Sequence, residues 1–555
     1  MEKIPSFNKY IEQSIKDNWN QDALTDYKGS TLQFHDVARK IEKLHIIFEG
    51  SGLRQGDKVA LCGRNSSCWA VAFLATLTYG AVAVPIQHEF NPEQIYNIVN
   101  HSEAKLLFVG DVVATSIDAE QMPGLEGVIY IPDYSLLVSR TEKLTYAREH
   151  LNEMFGKKYP KYFRKEHVCY HVDAAEELAL INYTSGTTGF SKGVMLPYRT
   201  LWSNLDCIME TIGSKLNKGD TMLSTLPMAH MYGMLVEFIF GFCAGNHIYF
   251  LTRLPSPTVI QQAFADIKPS IVIAVPLVVE KIIRKKIFPI VQSNKVKLLM
   301  NMPVISKKIK ERILEMVKEA FGGNMYEVLV GGAGLNKEIE AFLLDINFPL
   351  AMGYGTTETA PLITLSDYHD YVAGSCGTPA KNMEVRIAST DPDNIPGEIM
   401  TRGLNVMHGY YKNEEATKAV IDEDGWFHTG DLATMNADGH IFIRGRIKNM
   451  LLGSNGQNIY PEEIENKLNS MTMVNESLIV QHGDRFVGLV HPDKDEAEAL
   501  GFSDEDIQSI MEQNRIQLNT QLPAFCKIAE IKLLEKEFEK TPKKSIKRYL
   551  YQNAL

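Results

Sequence analysis

Tyr183-Thr-Ser-Gly-Thr-Thr-Gly-Phe-Ser-Lys-Gly-Val194 ends the apolar run Ala179–Tyr183 and leads into a helical stretch that begins near Tyr198. The segment between is almost wholly Gly, Ser and Thr, with a single cation, Lys192. Glycines let backbone N–H groups come close to an anion, hydroxyls add donors, and an ammonium adds a point charge, so this is the composition of a phosphate cradle. It is not a Walker A loop, because Gly186 and Gly189 are too close together and Gly193, not Ser or Thr, follows the lysine. A plain surface loop shares the composition; the strand-loop-helix setting is what favours a cradle. A buried strand that hands such a loop to a helix is the repeating unit of an open α/β sheet.

Outward from that loop the same alternation continues. From about Thr31 to Glu340, apolar strands such as Val59–Leu61, Ala81–Val84, Lys105–Val109, His247–Leu251, Ser270–Val275 and Tyr326–Val330 alternate with amphipathic helices. In Ile305–Phe321, for example, Ile309, Ile313, Met316, Val317 and Ala320 share one face. Strand and helix in alternation predict a mostly parallel sheet covered on both sides. After about Val372, Gly, Pro, Asp and Asn become frequent and the apolar runs shorten, with a hairpin predicted around Asn436-Ala-Asp-Gly439. Past Gly445-Arg-Ile-Lys-Asn-Met450 comes a helix–strand–strand–helix–strand series. The expected fold is therefore α/β. An N-terminal unit, 1–444, holds an α/β body to about 372 and a small β-barrel-like unit at 373–444; a hinge at 445–448 then leads to an α+β domain at 449–555.

At 555 residues the chain is too long for one core, and its 45% hydrophobic and 23% charged content is ordinary for a globular protein. A net charge of −11 argues against a nucleic-acid binder, which would carry a basic footprint. The seven cysteines are scattered and odd in number with no CxxC spacing, which points to a reducing cytosol and away from a zinc ribbon or disulfide framework. Glu2 and Lys3 stand where an export signal needs an apolar run. Cys68–Ile86 is uncharged and long enough to span a bilayer. Gly80 and Pro85 divide it instead into a buried helix, Trp69–Tyr79, and a strand, Ala81–Val84. The expectation is a cytoplasmic protein without a transmembrane segment, with peripheral membrane contact left open.

Two further loops fit the site begun by the first. Gly331-Gly-Ala-Gly-Leu335 follows the strand Tyr326–Val330, and Gly353-Tyr-Gly-Thr-Thr-Glu358 follows Leu350–Met352. Both lie at carboxyl ends of strands, where open α/β sheets bind ligands. A carboxylate beside a phosphate loop repels the anion unless a divalent cation lies between, which makes Glu358 a candidate Mg²⁺ ligand. Together the loops resemble the AMP-forming acyl-CoA synthetases of the adenylate-forming superfamily. Leu226-Pro-Met-Ala-His-Met-Tyr232, Gly425-Trp-Phe-His-Thr-Gly-Asp-Leu432, Gly445-Arg-Ile-Lys448 and Asn458-Ile-Tyr-Pro-Glu-Glu-Ile-Glu465 agree with that family in order and spacing. The resemblance runs from about residue 30 to the C-terminus. Val275–Ile282 and Ser454–Pro461 look most like the fatty acyl-CoA ligases.

The resemblance implies an acid–thiol ligase that activates a carboxylic acid, on this likeness a fatty acid, with ATP and then passes the acyl group to coenzyme A, using Mg²⁺. The alternatives are an adenylating enzyme for aryl acids or a carrier protein, and an impaired acyl-adenylate-binding protein. By resemblance Thr184, Ser185, Gly186, Thr187, Thr188, Gly189 and Lys192 hold the β- and γ-phosphates. Adenine is expected between Tyr354 and the Gly331–Gly334 backbone, and Gly332, Ala333, Gly334, Gly355 and Thr356 count among the nucleotide-binding residues. Thr357 meets the α-phosphate, Asp431 accepts from the ribose with Arg446 nearby, and His230 stands at the carboxylate end of the acyl pocket. Lys448 is the hinge about which the C-terminal domain turns. Taken one at a time, Asp431 also reads as a turn residue, Arg446 as a solvated surface charge, His230 as a core histidine, and Glu463 as support for a helix start. One departure stands out. Ungapped alignment puts Ser545 of Thr541-Pro-Lys-Lys-Ser-Ile-Lys-Arg548 where the family has a bridging lysine, so Lys544 is expected to serve in its place. A solvated basic face accounts equally for that cluster.

Overall fold

The helix Ser67–Tyr79 shows how the body is assembled. Ser66 caps it by accepting from the Trp69 N–H at 3.1 Å, and Gly80 ends it in the left-handed region at φ 84°. Every residue from Trp69 to Thr78 is buried, because the helix is packed against strands from two different sheets. Its 13 residues reach about 20 Å, short of the roughly 30 Å of a bilayer core. Among the described residues no helix is long and apolar enough to cross a membrane. The structure, a computed structural model, describes residues 5–184, 191–252, 257–293, 296, 303–452, 458–483, 485–540 and 546–552.

The predicted parallel sheet is two sheets face to face. In one, Leu178–Thr184, Val82–Ile86, Lys58–Cys62, Ala104–Val109 and Gly127–Tyr130 run parallel, in that order. In the other the parallel series is Leu350–Gly355, Glu327–Val330, Ile271–Ala274, Thr221–Ser224, His247–Phe250 and Asp22–Asp26. Antiparallel strands close both rims. The largest apolar cluster lies between the sheets, filled by Trp69, Phe73, Phe238, Phe240 and Phe242. A second covers the outer face of the larger sheet, where Ile313 and Val317 of the helix Pro303–Ala320 are buried as their spacing predicts. One strand runs further than expected: Val82–Ile86 includes Pro85, paired with Leu61. Its other neighbour is in register only at Ala83 and Leu180, so the missing N–H interrupts no second ladder.

The β unit is a four-stranded antiparallel sheet in the order Met383–Ala388, Gly397–Gly403, Phe427–Met435, Ile441–Arg446. The predicted hairpin turns at Asn436–Gly439, where Gly439 takes φ 83° and donates to the Asn436 carbonyl. Gly409–Tyr410 leaves this unit and pairs with Val194 and Met195 at the rim of the smaller parallel sheet. Beyond it, Val474–His482, Arg485–Pro492 and Ile528–Leu533 form a three-stranded sheet with the helices Pro461–Leu468 and Asp504–Thr520. That sheet has its own core, including Ile464, Leu468, Phe486, Val490 and Leu518. The two parts meet through polar contacts: Arg444 lies 3.7 Å from Glu463, and Asn336 donates to Ser470.

Candidate nucleotide and acyl site

The described residues flanking the glycine-rich stretch at Tyr183–Val194 are not strand-loop-helix. Leu178–Thr184 and Lys192–Pro197 pair antiparallel, so Lys192 begins a second strand, opposite Thr184. The helix Tyr198–Thr211 follows at once. Sequence composition could not distinguish the two arrangements, because Gly193-Val-Met-Leu196 is too short to show a period. Gly193 is needed here: a Cβ would stand 2.9 Å from Ile181 and 3.0 Å from the Tyr183 ring. Ser185, Gly186, Thr187, Thr188 and Gly189 lie outside the described residues, as do Lys544 and Ser545.

Gly353-Tyr-Gly355 also differs from expectation, since these residues are strand rather than loop. Leu350–Gly355 pairs parallel through Met352 with Glu327–Val330, then antiparallel with Leu362–Leu365. A Cβ on Gly355 would fall onto the Pro361 carbonyl oxygen, so the crossing requires glycine. It delivers Tyr354 toward the β unit, where its hydroxyl donates to Asp431 Oδ2 at 2.5 Å. Asp431 Oδ1 accepts from Arg446 Nε at 2.8 Å. Asp431 and Arg446 are direct cross-strand partners in the hairpin Phe427–Arg446, which explains why two residues distant in sequence meet. Burial lifts the Asp431 carboxyl above its ordinary range, against the pull of Arg446 and the Tyr354 hydroxyl. Arg446 is half-exposed beside the buried carboxylate.

Gly332–Gly334, just past the strand Glu327–Val330, is an exposed shelf, with nothing within 4 Å of a Cβ at Gly334. Tyr232 supports it from below: its hydroxyl donates to the Leu329 carbonyl at 3.1 Å, and its ring would lie 2.9 Å from a Cβ on Gly331. Thr356 and Thr359 close the turn that carries Thr357 and Glu358, with Thr356 N–H donating to Thr359 Oγ1 at 3.2 Å. Thr357 is buried and Glu358 half-buried. Glu358 Oε1 accepts from the Tyr410 hydroxyl at 2.9 Å, and the Lys192 ammonium lies 4.7 Å from the centre of the same ring. Lys448, in the turn Ile447–Asn449, is close enough to Arg446 and Lys192 that burial and both cations push its ammonium down while Asp431 pulls it up. Lys192, Tyr354, Glu358, Asp431, Arg446 and Lys448 thus surround one place.

His230 lies at the end of a loop pinned from three sides. Asn182 Nδ2 donates to the Ala229 carbonyl (3.0 Å), Met228 N–H donates to Asn65 Oδ1 (2.9 Å), and the buried Glu237 accepts from Ser224 Oγ and the N–H groups of Thr225 and Leu226 (3.0 to 3.2 Å). The Tyr232 N–H donates to His230 Nδ1 at 3.2 Å, which assigns the ring proton of the neutral form to Nε2. Burial pushes the Glu237 carboxyl up to about 8. Sequence reading missed both Glu237 and Tyr410. A lone acid in the apolar run Met231–Cys243 was the available signal for the first; nothing in Gly409-Tyr-Tyr-Lys412 announced the second.

Chemically, the site offers cations for an oligophosphate, a shelf and a ring for a flat base, and a buried carboxylate for a diol. No three His, Cys, Asp or Glu side chains cluster as a metal site among the described residues. The hard oxygens of a lone half-buried Glu358 suit a cation that takes its remaining ligands from phosphate and water.

Two family models match the chain, one described as AMP-binding enzyme over residues 11–411 and one as AMP-binding enzyme C-terminal domain over residues 448–554. The chain is 28% identical over 549 residues to long chain acyl-CoA synthetase 7, peroxisomal, of Arabidopsis thaliana, covering 92% of this chain and 75% of that one. It is 28% identical over 494 residues to a long-chain-fatty-acid–CoA ligase of Escherichia coli O157:H7, covering 84% and 81%. Its fold is shared with ATP-bound MatB from Rhodopseudomonas palustris (TM-score 0.74, 23% identity, 99% of each chain). It is shared too with the anthranilate CoA ligase AuaEII in complex with anthranoyl-AMP (TM-score 0.78, 18% identity, 100% and 98%).

Proposed function

The chain belongs to the AMP-binding enzyme family, and from that premise we propose that it is an acyl-CoA ligase that activates a fatty acid through an acyl-adenylate. The observation that carries the proposal is the convergence of Tyr354, Asp431 and Arg446 with Lys192 and Glu358 around one place. The names of the relatives support the fatty acid as the class of acid.

A carboxylate is inert toward a thiol because its leaving group would be oxide. In the first step a carboxylate oxygen attacks the α-phosphorus of ATP and pyrophosphate departs. In the second the coenzyme A thiolate adds to the acyl carbonyl carbon and AMP departs. Both steps bring anions together, so cations and aimed donors are the main requirement. On this reading Asp431 accepts the ribose hydroxyls while Tyr354 and Arg446 hold it in place. The base lies against Tyr354 and the Gly332–Gly334 backbone, with Gly355 and Thr356 at its edge. Thr184, Lys192 and the hydroxyls between them grip the β- and γ-phosphates, and Thr357 meets the α-phosphate. Glu358 binds Mg²⁺, which when present neutralises triphosphate charge and draws electrons from the attacked phosphorus. His230 receives the acyl carboxylate. Lys544 stands in for the bridging lysine that Ser545 replaces, and Lys448 is the hinge between a nucleotide-binding unit, 1–444, and a C-terminal domain, 449–555. The seven free cysteines fit a reducing cytoplasm, with the lipid substrate drawn from a membrane surface.

The test is an assay with ATP, Mg²⁺, coenzyme A and acids from short to long, following AMP, pyrophosphate and thioester. We expect AMP and pyrophosphate in equal amounts with long-chain acids, and at least tenfold slower pyrophosphate exchange in Lys544→Ala. Production of ADP, or a preference for aryl acids, overturns the reading; adenylate without thioester reassigns the acceptor.

A further inference from the structure

Lys192 and Glu358 carry opposite charges toward the same place yet form no ion pair: no carboxylate oxygen of a described residue stands within 4.0 Å of the Lys192 ammonium. Tyr410 occupies the interval. Its ring faces the ammonium at 4.7 Å from the ring centre, and its hydroxyl donates to Glu358 Oε1 at 2.9 Å. We propose that Tyr410 is a positioning residue that keeps the phosphate-binding lysine and the metal-binding carboxylate from neutralising each other before substrate arrives. The proposal rests on the roles given above to Lys192 and Glu358.

The geometry supports a rigid spacer. Tyr410 lies on the short strand Gly409–Tyr410, whose partners Val194 and Met195 belong to the strand that Lys192 begins. Its N–H donates to Thr417 Oγ1 at 2.9 Å, and the next N–H, of Tyr411, donates to the Gly193 carbonyl at 2.7 Å. Gly409 at φ 141° leaves room for Thr417, which a Cβ would meet at 2.6 Å. On the other side the Met407 N–H donates to the Glu358 carbonyl at 2.9 Å, so the carboxylate is tied to the same segment. The tyrosine is buried, and its hydroxyl is placed to donate to the carboxylate. A ring attracts a cation without cancelling its charge, and one hydroxyl occupies one carboxylate oxygen, leaving the other for a metal. An ammonium placed directly on Glu358 would instead have to be pulled away by every incoming Mg·ATP.

Two variants separate the ring from the hydroxyl. Tyr410→Phe keeps the cation–ring contact and loses the donor; Tyr410→Leu loses both and opens the way to a Lys192–Glu358 pair. The first readout needs no substrate: competitive acetylation of the ligand-free protein, with Lys192 quantified by mass spectrometry. A lysine paired with a carboxylate stays protonated to higher pH, so Lys192 should label at least threefold more slowly in Tyr410→Leu. Labelling should be unchanged in Tyr410→Phe and restored in Tyr410→Leu/Glu358→Gln. The second readout is the Mg²⁺ midpoint of pyrophosphate exchange, expected to rise about threefold in Tyr410→Phe and tenfold in Tyr410→Leu. Unchanged Lys192 labelling in a folded Tyr410→Leu overturns the spacer. Should that variant fail to fold, an unchanged Mg²⁺ midpoint in Tyr410→Phe overturns it instead. A wild-type protein that adenylates no acid would remove the assigned roles but leave the labelling result standing, which keeps the two failures apart.

Discussion

At the scale of single residues, charge here is controlled by what lies beside it. Asp431 remains a buried acceptor because an arginine and a tyrosine share its two oxygens, whereas Glu237 is surrounded by neutral donors alone. Glu237 therefore titrates late, its carboxyl moved from 4.5 to about 8 by burial. Its folded value lies above the unfolded one, so its contribution to stability is fully present below about 4.5 and is lost as pH climbs through about 8. Wild-type stability should then fall across that window with a component of up to about 1.4 kcal/mol per pH unit that Glu237→Gln lacks. Thermal unfolding of both proteins from pH 5 to 8 measures the difference in slope; parallel curves contradict the assignment. None of this was legible beforehand, since a sequence shows a lone acid in an apolar run but not the donors that hold it.

At the scale of elements, two readings changed for a common reason. The hairpin strand Lys192–Pro197 and the strand extension Gly353–Gly355 both lie where a sheet passes from parallel to antiparallel pairing. Short, glycine-containing segments carry no period that separates strand from loop, and only a neighbour at the right register makes them strands. Gly355 shows how tight that register is, because its α-carbon faces the Pro361 carbonyl with no room for a methyl group. Gly355→Ala must push Leu350–Gly355 away from Leu362–Leu365, and with it Tyr354. We expect a loss of at least about 3 kcal/mol in denaturant unfolding together with weaker ATP binding. A variant of wild-type stability would show that the strand crossing yields more easily than its packing indicates.

At the scale of the whole molecule, the C-terminal part has its own apolar core and meets the body through polar contacts, among them Asn336 with Ser470 and Arg444 with Glu463. Contacts of that kind break without exposing apolar surface, as a rotating domain requires. Lys448 lies in the turn between the two, and fixing its φ tests the hinge. Lys448→Pro should leave whichever half-reaction uses the present arrangement within about twofold and slow the other at least tenfold, read as pyrophosphate exchange against thioester release from preformed acyl-adenylate. Equal losses in both would remove the hinge role.

The alternation of apolar strands with amphipathic helices that makes the body α/β was legible in the chain itself, because period, turn residues and side-chain type are local properties. Which charges stand together was decided only by tertiary structure. Tyr354 reaches Asp431 across 77 positions and Tyr410 reaches Glu358 across 52, each placed by a strand register that no local pattern encodes. Donors, acceptors and cations gain their roles from neighbours, and neighbours are fixed when sheets pack.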